Sequence, residues 1–149
     1  MMSGPSDGAF HVLVLCTGNS ARSQIAEALI ITRGAQRLGG VVAATSAGSH
    51  PAQRVNPLAV EVLAEHDIDW RDRRPQSIGD VADDSFNLVI TVCDNARDAC
   101  PYLPGAAVQV HWPLPDPAVA TGALAAREAF TDTYQALSAR IDALLALPL

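Results

Sequence analysis

Four short runs rich in apolar and β-branched residues constrain this chain more than any other feature. They are Phe10–Cys16, Val41–Thr45, Asn87–Cys93 and Ala107–Trp112. The first and third are nearly unbroken apolar stretches, so they read as strands buried on both faces, the habit of a parallel sheet. Helix-like stretches separate them. One runs from about Ala21 to Leu38, with Ile25, Ala28 and Leu29 on one face, and stops at Gly39-Gly40. A second starts at Asn56-Pro57, where Asn caps and Pro suits the first turn, and ends near His66. After a polar stretch, Asp67–Asp84, read as loop plus a short helix, the last helix spans Ala123–Leu147. Its Phe130, Tyr134, Leu137, Ile141 and Leu144 form an apolar stripe. Strands alternating with helices make an α/β fold: one three-layer domain, a four-stranded parallel sheet with helices on both faces. The binding site of such a sheet lies at the carboxyl ends of its strands.

Size and charge narrow the function. At 149 residues, the chain suits one domain, expected over 10–149 behind a flexible arm, 1–9. Its net charge of −6 and lack of a basic cluster argue against a nucleic-acid binder. No apolar run approaches the roughly 20 residues that span a bilayer. The N-terminus lacks the layout of a signal peptide. A cytoplasmic monomer without a bound cofactor is expected. Its three cysteines, Cys16, Cys93 and Cys100, are an odd number, which does not suit a static disulfide framework.

The chemistry points to the first loop, Cys16-Thr-Gly-Asn-Ser-Ala-Arg22-Ser23. It leaves a strand and enters a helix. Such a loop turns backbone N–H groups inward, and the helix N-terminus adds positive potential, so Thr17, Gly18, Asn19, Ser20 and Ala21 would cradle an oxyanion. Arg22 can offer a bidentate fork to the same anion. Cys16 sits where these donors favour a thiolate, and the Ser23 hydroxyl could donate to it. Gly18 permits close approach, and Asn19 tolerates a left-handed turn. The bland alternative is a cysteine that closes a buried strand beside an arginine on a helix surface.

This segment resembles the phosphate-binding loop of the low-molecular-weight protein tyrosine phosphatase fold. The resemblance extends over nearly the whole chain from Phe10, through Thr45-Ser-Ala-Gly48, Val55-Asn-Pro57 and Asp116-Pro117. Within that fold, Leu15–Gln24 is most similar to the thioredoxin-coupled arsenate reductases; the phosphatases usually carry Pro where Gln24 stands. The Cys93/Cys100 spacing resembles their second and third redox cysteines.

The resemblance implies a relay. Cys16 would attack arsenate, and Asp116 would protonate the leaving oxygen. Cys93 would resolve the adduct, and Cys100 would carry the disulfide outward. Seven residues of helix rise about 10.5 Å, whereas disulfide Cα atoms lie within about 7 Å. A helical 94–99 would therefore have to unwind to join Cys93 to Cys100. The electron donor stays open among thioredoxin, a mycoredoxin with mycothiol, and a glutaredoxin with glutathione. One rival is a phosphatase hydrolysing phosphate monoesters through a Cys16 phospho-enzyme. Another is an oxyanion or redox sensor without turnover.

Some of these relatives hold a potassium ion beside the loop. Asn19, Glu27 and Ser46 match its ligand positions, and the fourth, acidic position falls near Gln76. Glu27 alone would read as a solvated helix residue. Arg71, Arg73 and Arg74 read as a solvated face, and Trp70 and Trp112 as packing residues.

Overall fold

The computed structural model describes residues 9–36, 42–94 and 108–147. Cys100, the expected helix over 94–99 beyond Asp94, the arm 1–8, and the outer ends of the expected first helix and of the second and fourth strands lie outside these residues.

The order along the chain is β1 (Phe10–Cys16), α1 (Arg22–Gln36), β2 (Val42–Gly48), α2 (Pro57–Ala64), α3 (Ile78–Val81), β3 (Leu88–Thr91), β4 (Gln109–His111) and α4 (Ala123–Leu145). A short 3-10 turn, Pro117–Val119, precedes α4. The sheet is four-stranded and parallel, in the order β2-β1-β3-β4. The α/β architecture read from the strand–helix alternation is the one observed.

Strand β1 is central, and its alternation divides the core. Val12, Val14 and Cys16 face a large cluster with Ile25 and Leu29 of α1, Val62 and Leu63 of α2, and the α4 stripe. Leu13 and Leu15 face a second cluster with Val81, Phe86 and Val89. Both faces are dry, which is why the β1 sequence carries no polar alternation. Asn56 caps α2 as expected, accepting the Leu58 N–H at 2.9 Å, with Pro57 at the first helical position.

Strand β2 differs from its expected extent. It runs three residues past Thr45 to Gly48, so Ser46 and Ala47 belong to the sheet and not to a loop. Pairing persists because β1 itself continues to Cys16, which stands opposite Gly48.

Candidate functional site

Five loop carbonyls follow β1, and all are turned outward. Those of Cys16, Thr17, Gly18 and Ser20 accept backbone N–H groups of Ser49, His50, Ala52 and Asn56 at 2.8–3.3 Å. That of Asn19 accepts the Gln24 side-chain amide at 3.1 Å. In a planar trans peptide the next N–H points opposite the carbonyl. The N–H groups of Thr17 through Ala21 therefore face away from these partners, toward the inside of the loop. The Asn19 N–H lies 3.3 Å from Cys16 Sγ. Asn19 takes φ 50°, the left-handed conformation that asparagine tolerates. Gly48 lets the loop lie against β2: a Cβ there would stand 2.5 Å from the Thr17 carbonyl oxygen and 2.9 Å from Asn19 N. Only glycine fits so close an approach.

The side-chain protons behind Cys16 can be assigned one after another. The Gln76 backbone N–H must donate, and it lies 2.9 Å from Asn19 Oδ1. That fixes Asn19 Nδ2 as the donor end. Its two hydrogens go to Ser23 Oγ and Ser46 Oγ, both at 2.8 Å. Ser23 Oγ lies 2.9 Å from Cys16 Sγ, placed to give its own hydrogen to a thiolate there. Ser46 gives its hydrogen to Glu27 Oε1 at 2.5 Å. Asn19 and Ser23 are both completely buried, so this chain of donors is shielded from water.

Arg22 is buried at the start of α1. Its Nη1 donates to the Leu114 carbonyl at 3.1 Å, and its Nη2 lies 3.9 Å from Asp116 Oδ2. These contacts bring the 114–117 segment to the mouth of the loop. Asp116 is held there by its other oxygen, which accepts the Ala118 N–H at 2.9 Å and caps the 3-10 turn.

Cys93 follows β3 on the same sheet edge. The β1–β3 pairing ends with the Val92 N–H on the Leu15 carbonyl, 3.0 Å, one residue before each cysteine. Cys16 is 2% exposed and Cys93 0%; both are thiols, not disulfide sulfurs.

The residues matching an alkali-ion site do not fit an ion here. Asn19 Oδ1 is taken by the Gln76 N–H, and the Ser46 carbonyl by Gln76 Nε2 at 2.9 Å. Ser46 occupies one Glu27 oxygen, and Arg73 lies 3.4 Å from the other. Every oxygen in the set already has a donor. The arginine supplies the positive charge and the glutamine amide takes the acidic position. Glu27 is also not a solvated helix residue. Its side chain is only 13% exposed, and burial pushes its carboxyl pKa up, against the lowering pull of Ser46 and Arg73.

Two residues read as packing or surface serve the loop from behind, through Gln24. Trp70 donates its indole N–H to Gln24 Oε1 at 2.8 Å. Arg73 covers the Trp70 ring at 3.8 Å. Gln24 carries a faint sequence signal, an amide one turn before Ala28 on the buried face of α1. Its partner stands 46 positions away, and no periodicity announces it.

Residues 11–147 match the family of the low molecular weight phosphotyrosine protein phosphatases. An arsenate reductase of Bacillus cereus is 42% identical over 107 residues, 72% of this chain and 76% of that protein. The fold superposes on the structure of an arsenate reductase in the phosphate binding state with a TM-score of 0.75. That match has 29% identity and covers 91% of this chain and 96% of the other. The thioredoxin-dependent arsenate reductase of Corynebacterium glutamicum gives a TM-score of 0.67 at 29% identity, over 93% of this chain and 61% of that one. Among the described residues no helix is long and apolar enough to cross a membrane.

Proposed function

The chain belongs to the low molecular weight phosphotyrosine protein phosphatase family, and from that premise we propose that it acts as one of its arsenate reductases, by a Cys16/Cys93/Cys100 relay. One observation carries the relay. Cys16 and Cys93 sit at the carboxyl ends of adjacent parallel strands, one residue past a shared hydrogen bond, both buried and both reduced. Of the three cysteines, hydrolysis of a phosphate ester needs Cys16 alone. A buried second thiol beside it has a chemical use when two electrons must be delivered.

The steps follow. Arsenate enters the cradle of inward N–H groups and the Arg22 guanidinium. The Cys16 thiolate bonds to arsenic, and one arsenic hydroxyl leaves as water with a proton from Asp116. The Cys93 thiolate attacks Cys16 Sγ. The sulfur–arsenic bond breaks, its electron pair stays on arsenic, and arsenite departs from a Cys16–Cys93 disulfide. The Cys100 thiolate attacks Cys93 Sγ and frees Cys16 as a thiolate. A dithiol protein of the thioredoxin class, in the cytoplasm, reduces the resulting Cys93–Cys100 disulfide.

The test is arsenite production from arsenate with thioredoxin, thioredoxin reductase and NADPH, for the wild type, Cys93→Ser and Cys100→Ser. Turnover by the wild type alone supports the relay. A wild type inert with thioredoxin, mycoredoxin–mycothiol and glutaredoxin–glutathione, yet fast on an aryl phosphate, supports the hydrolase.

A further inference from the structure

We propose that the Trp70–Gln24 pair is a positioning device for the oxyanion loop, acting on the peptide between Asn19 and Ser20. The proposal rests on the reading of that loop as an oxyanion cradle.

Of the five outward carbonyls, four are held by backbone N–H groups from the 49–56 segment. Main-chain donors of this kind are present whatever the local side chains are. The fifth, on Asn19, has the Gln24 amide as its side-chain donor. A rotation of the Asn19–Ser20 peptide would aim a carbonyl dipole into the cradle, in place of the Ser20 N–H. An anion would then meet an acceptor.

Gln24 can hold the peptide only if its amide faces one way. Trp70 decides which. An indole N–H is a donor and never an acceptor, so the atom 2.8 Å from it must be Oε1. The other end, Nε2, then faces the Asn19 carbonyl, with the Arg74 carbonyl at 3.5 Å as a second acceptor. Gln24 is 2% exposed and cannot satisfy itself with water, and Trp70 is 3% exposed. The indole ring is fixed in turn by the Arg73 guanidinium stacked on it. The 70–74 segment thus reaches the anion site through one amide, although it lies behind the loop.

Inorganic phosphate is the probe, with affinity read by calorimetry and each variant's fold checked by circular dichroism and melting. Phosphate binding depends on the cradle and not on the cysteine relay, so failure of the proposal is separable from failure of the reductase reading. Gln24→Glu keeps the acceptor for Trp70 and removes the donor to Asn19. Trp70→Phe keeps the aromatic bulk and removes the indole donor. Each is expected to weaken phosphate about tenfold, the scale for orphaning one buried hydrogen-bonding group. In a Gln24→Met background Trp70→Phe should cause no further loss, because the amide through which it acts is gone.

Folded variants with wild-type affinity would overturn the proposal. So would an equal Trp70→Phe loss in both backgrounds, which would make the indole a packing residue. If Trp70→Phe does not fold, Gln24→Met decides, since it removes the amide without adding charge beside the anion: a tenfold loss supports the device, and unchanged affinity sinks it. A wild type that does not bind phosphate would remove the cradle and this proposal together.

Discussion

Ser23 Oγ lies 2.9 Å from Cys16 Sγ and receives an Asn19 side-chain hydrogen at 2.8 Å. In the proposed mechanism, where Cys16 acts as a thiolate, the serine hydroxyl is its donor. A hydrogen bond to a charged group contributes about 1.5–3 kcal/mol, so Ser23→Ala should slow Cys16 about 10- to 150-fold. Iodoacetamide alkylation of Cys16, with Cys93 and Cys100 replaced by serine, measures this without arsenate. An unchanged rate would remove Ser23 from the mechanism.

The turn cap and the proposed general-acid role of Asp116 can be separated by substitution. One oxygen caps the turn through the Ala118 N–H, and the other faces Arg22. Asn keeps an acceptor for the cap but cannot give up a proton as an acid does. Asp116→Asn should melt like the wild type and lose about 10²–10⁴ in turnover, the range for a general acid. Asp116→Ala should lose turnover equally and melt lower as well, since it forfeits the cap. Equal turnover of Asp116→Asn and the wild type would show that the leaving oxygen finds its proton elsewhere.

Gly48 is where β2 and the loop touch. An alanine methyl would meet the Thr17 carbonyl at 2.5 Å, and backbone cannot step aside as a flexible side chain can. Gly48→Ala should cost about 1–3 kcal/mol by overpacking. It should also abolish phosphate binding while the protein stays folded, because the displaced atoms belong to the proposed cradle. Urea denaturation and phosphate calorimetry together check both parts.

Glu27 gives the fold a pH dependence of defined sign. Burial, the largest influence, raises its carboxyl above the ordinary value of 4.5, so between the two values the folded protein binds more protons than the unfolded chain. Its contribution to stability is full below about 4.5 and is lost as pH rises through the raised value. Glu27→Gln removes that loss. The urea midpoint of the variant, compared with the wild type from pH 4 to 8, should gain relative to the wild type as pH rises. A pH-independent difference between the two would refute the raised carboxyl.

Ion independence follows from the same cluster. Because the Arg73 guanidinium and the Gln76 amide already serve the oxygens of Glu27, Ser46 and Asn19, the melting temperature should be the same in potassium, sodium and choline chloride at equal ionic strength. A rise specific to potassium would show a bound ion.

Much of the fold was legible because it is written locally. Strand β1 announced itself by its unbroken apolar run, α2 by Asn56-Pro57, and α4 by its stripe, of which Phe130, Tyr134, Leu137 and Ile141 are buried. The burial of Glu27 was not legible because it depends on Ser46, 19 residues away on a strand that the local pattern ended too early. Trp70 and Arg73 looked like packing and surface for a similar reason: their partners, Gln24 and Glu27, lie on another element.

The amino-acid order by itself determined the strand–loop–helix around Cys16, since its turn residues, its Cys-to-Arg spacing and its flanking periodicities are all short-range. Tertiary structure decided the rest. The strand order β2-β1-β3-β4 brings Cys93, 77 positions along the chain, to the sheet edge of Cys16. The crossing of 70–76 behind the loop sets which way the amides of Gln24 and Asn19 face. Both follow from burying two faces of one sheet at once and then satisfying every polar group shut inside, a condition on the whole chain that no window of residues contains.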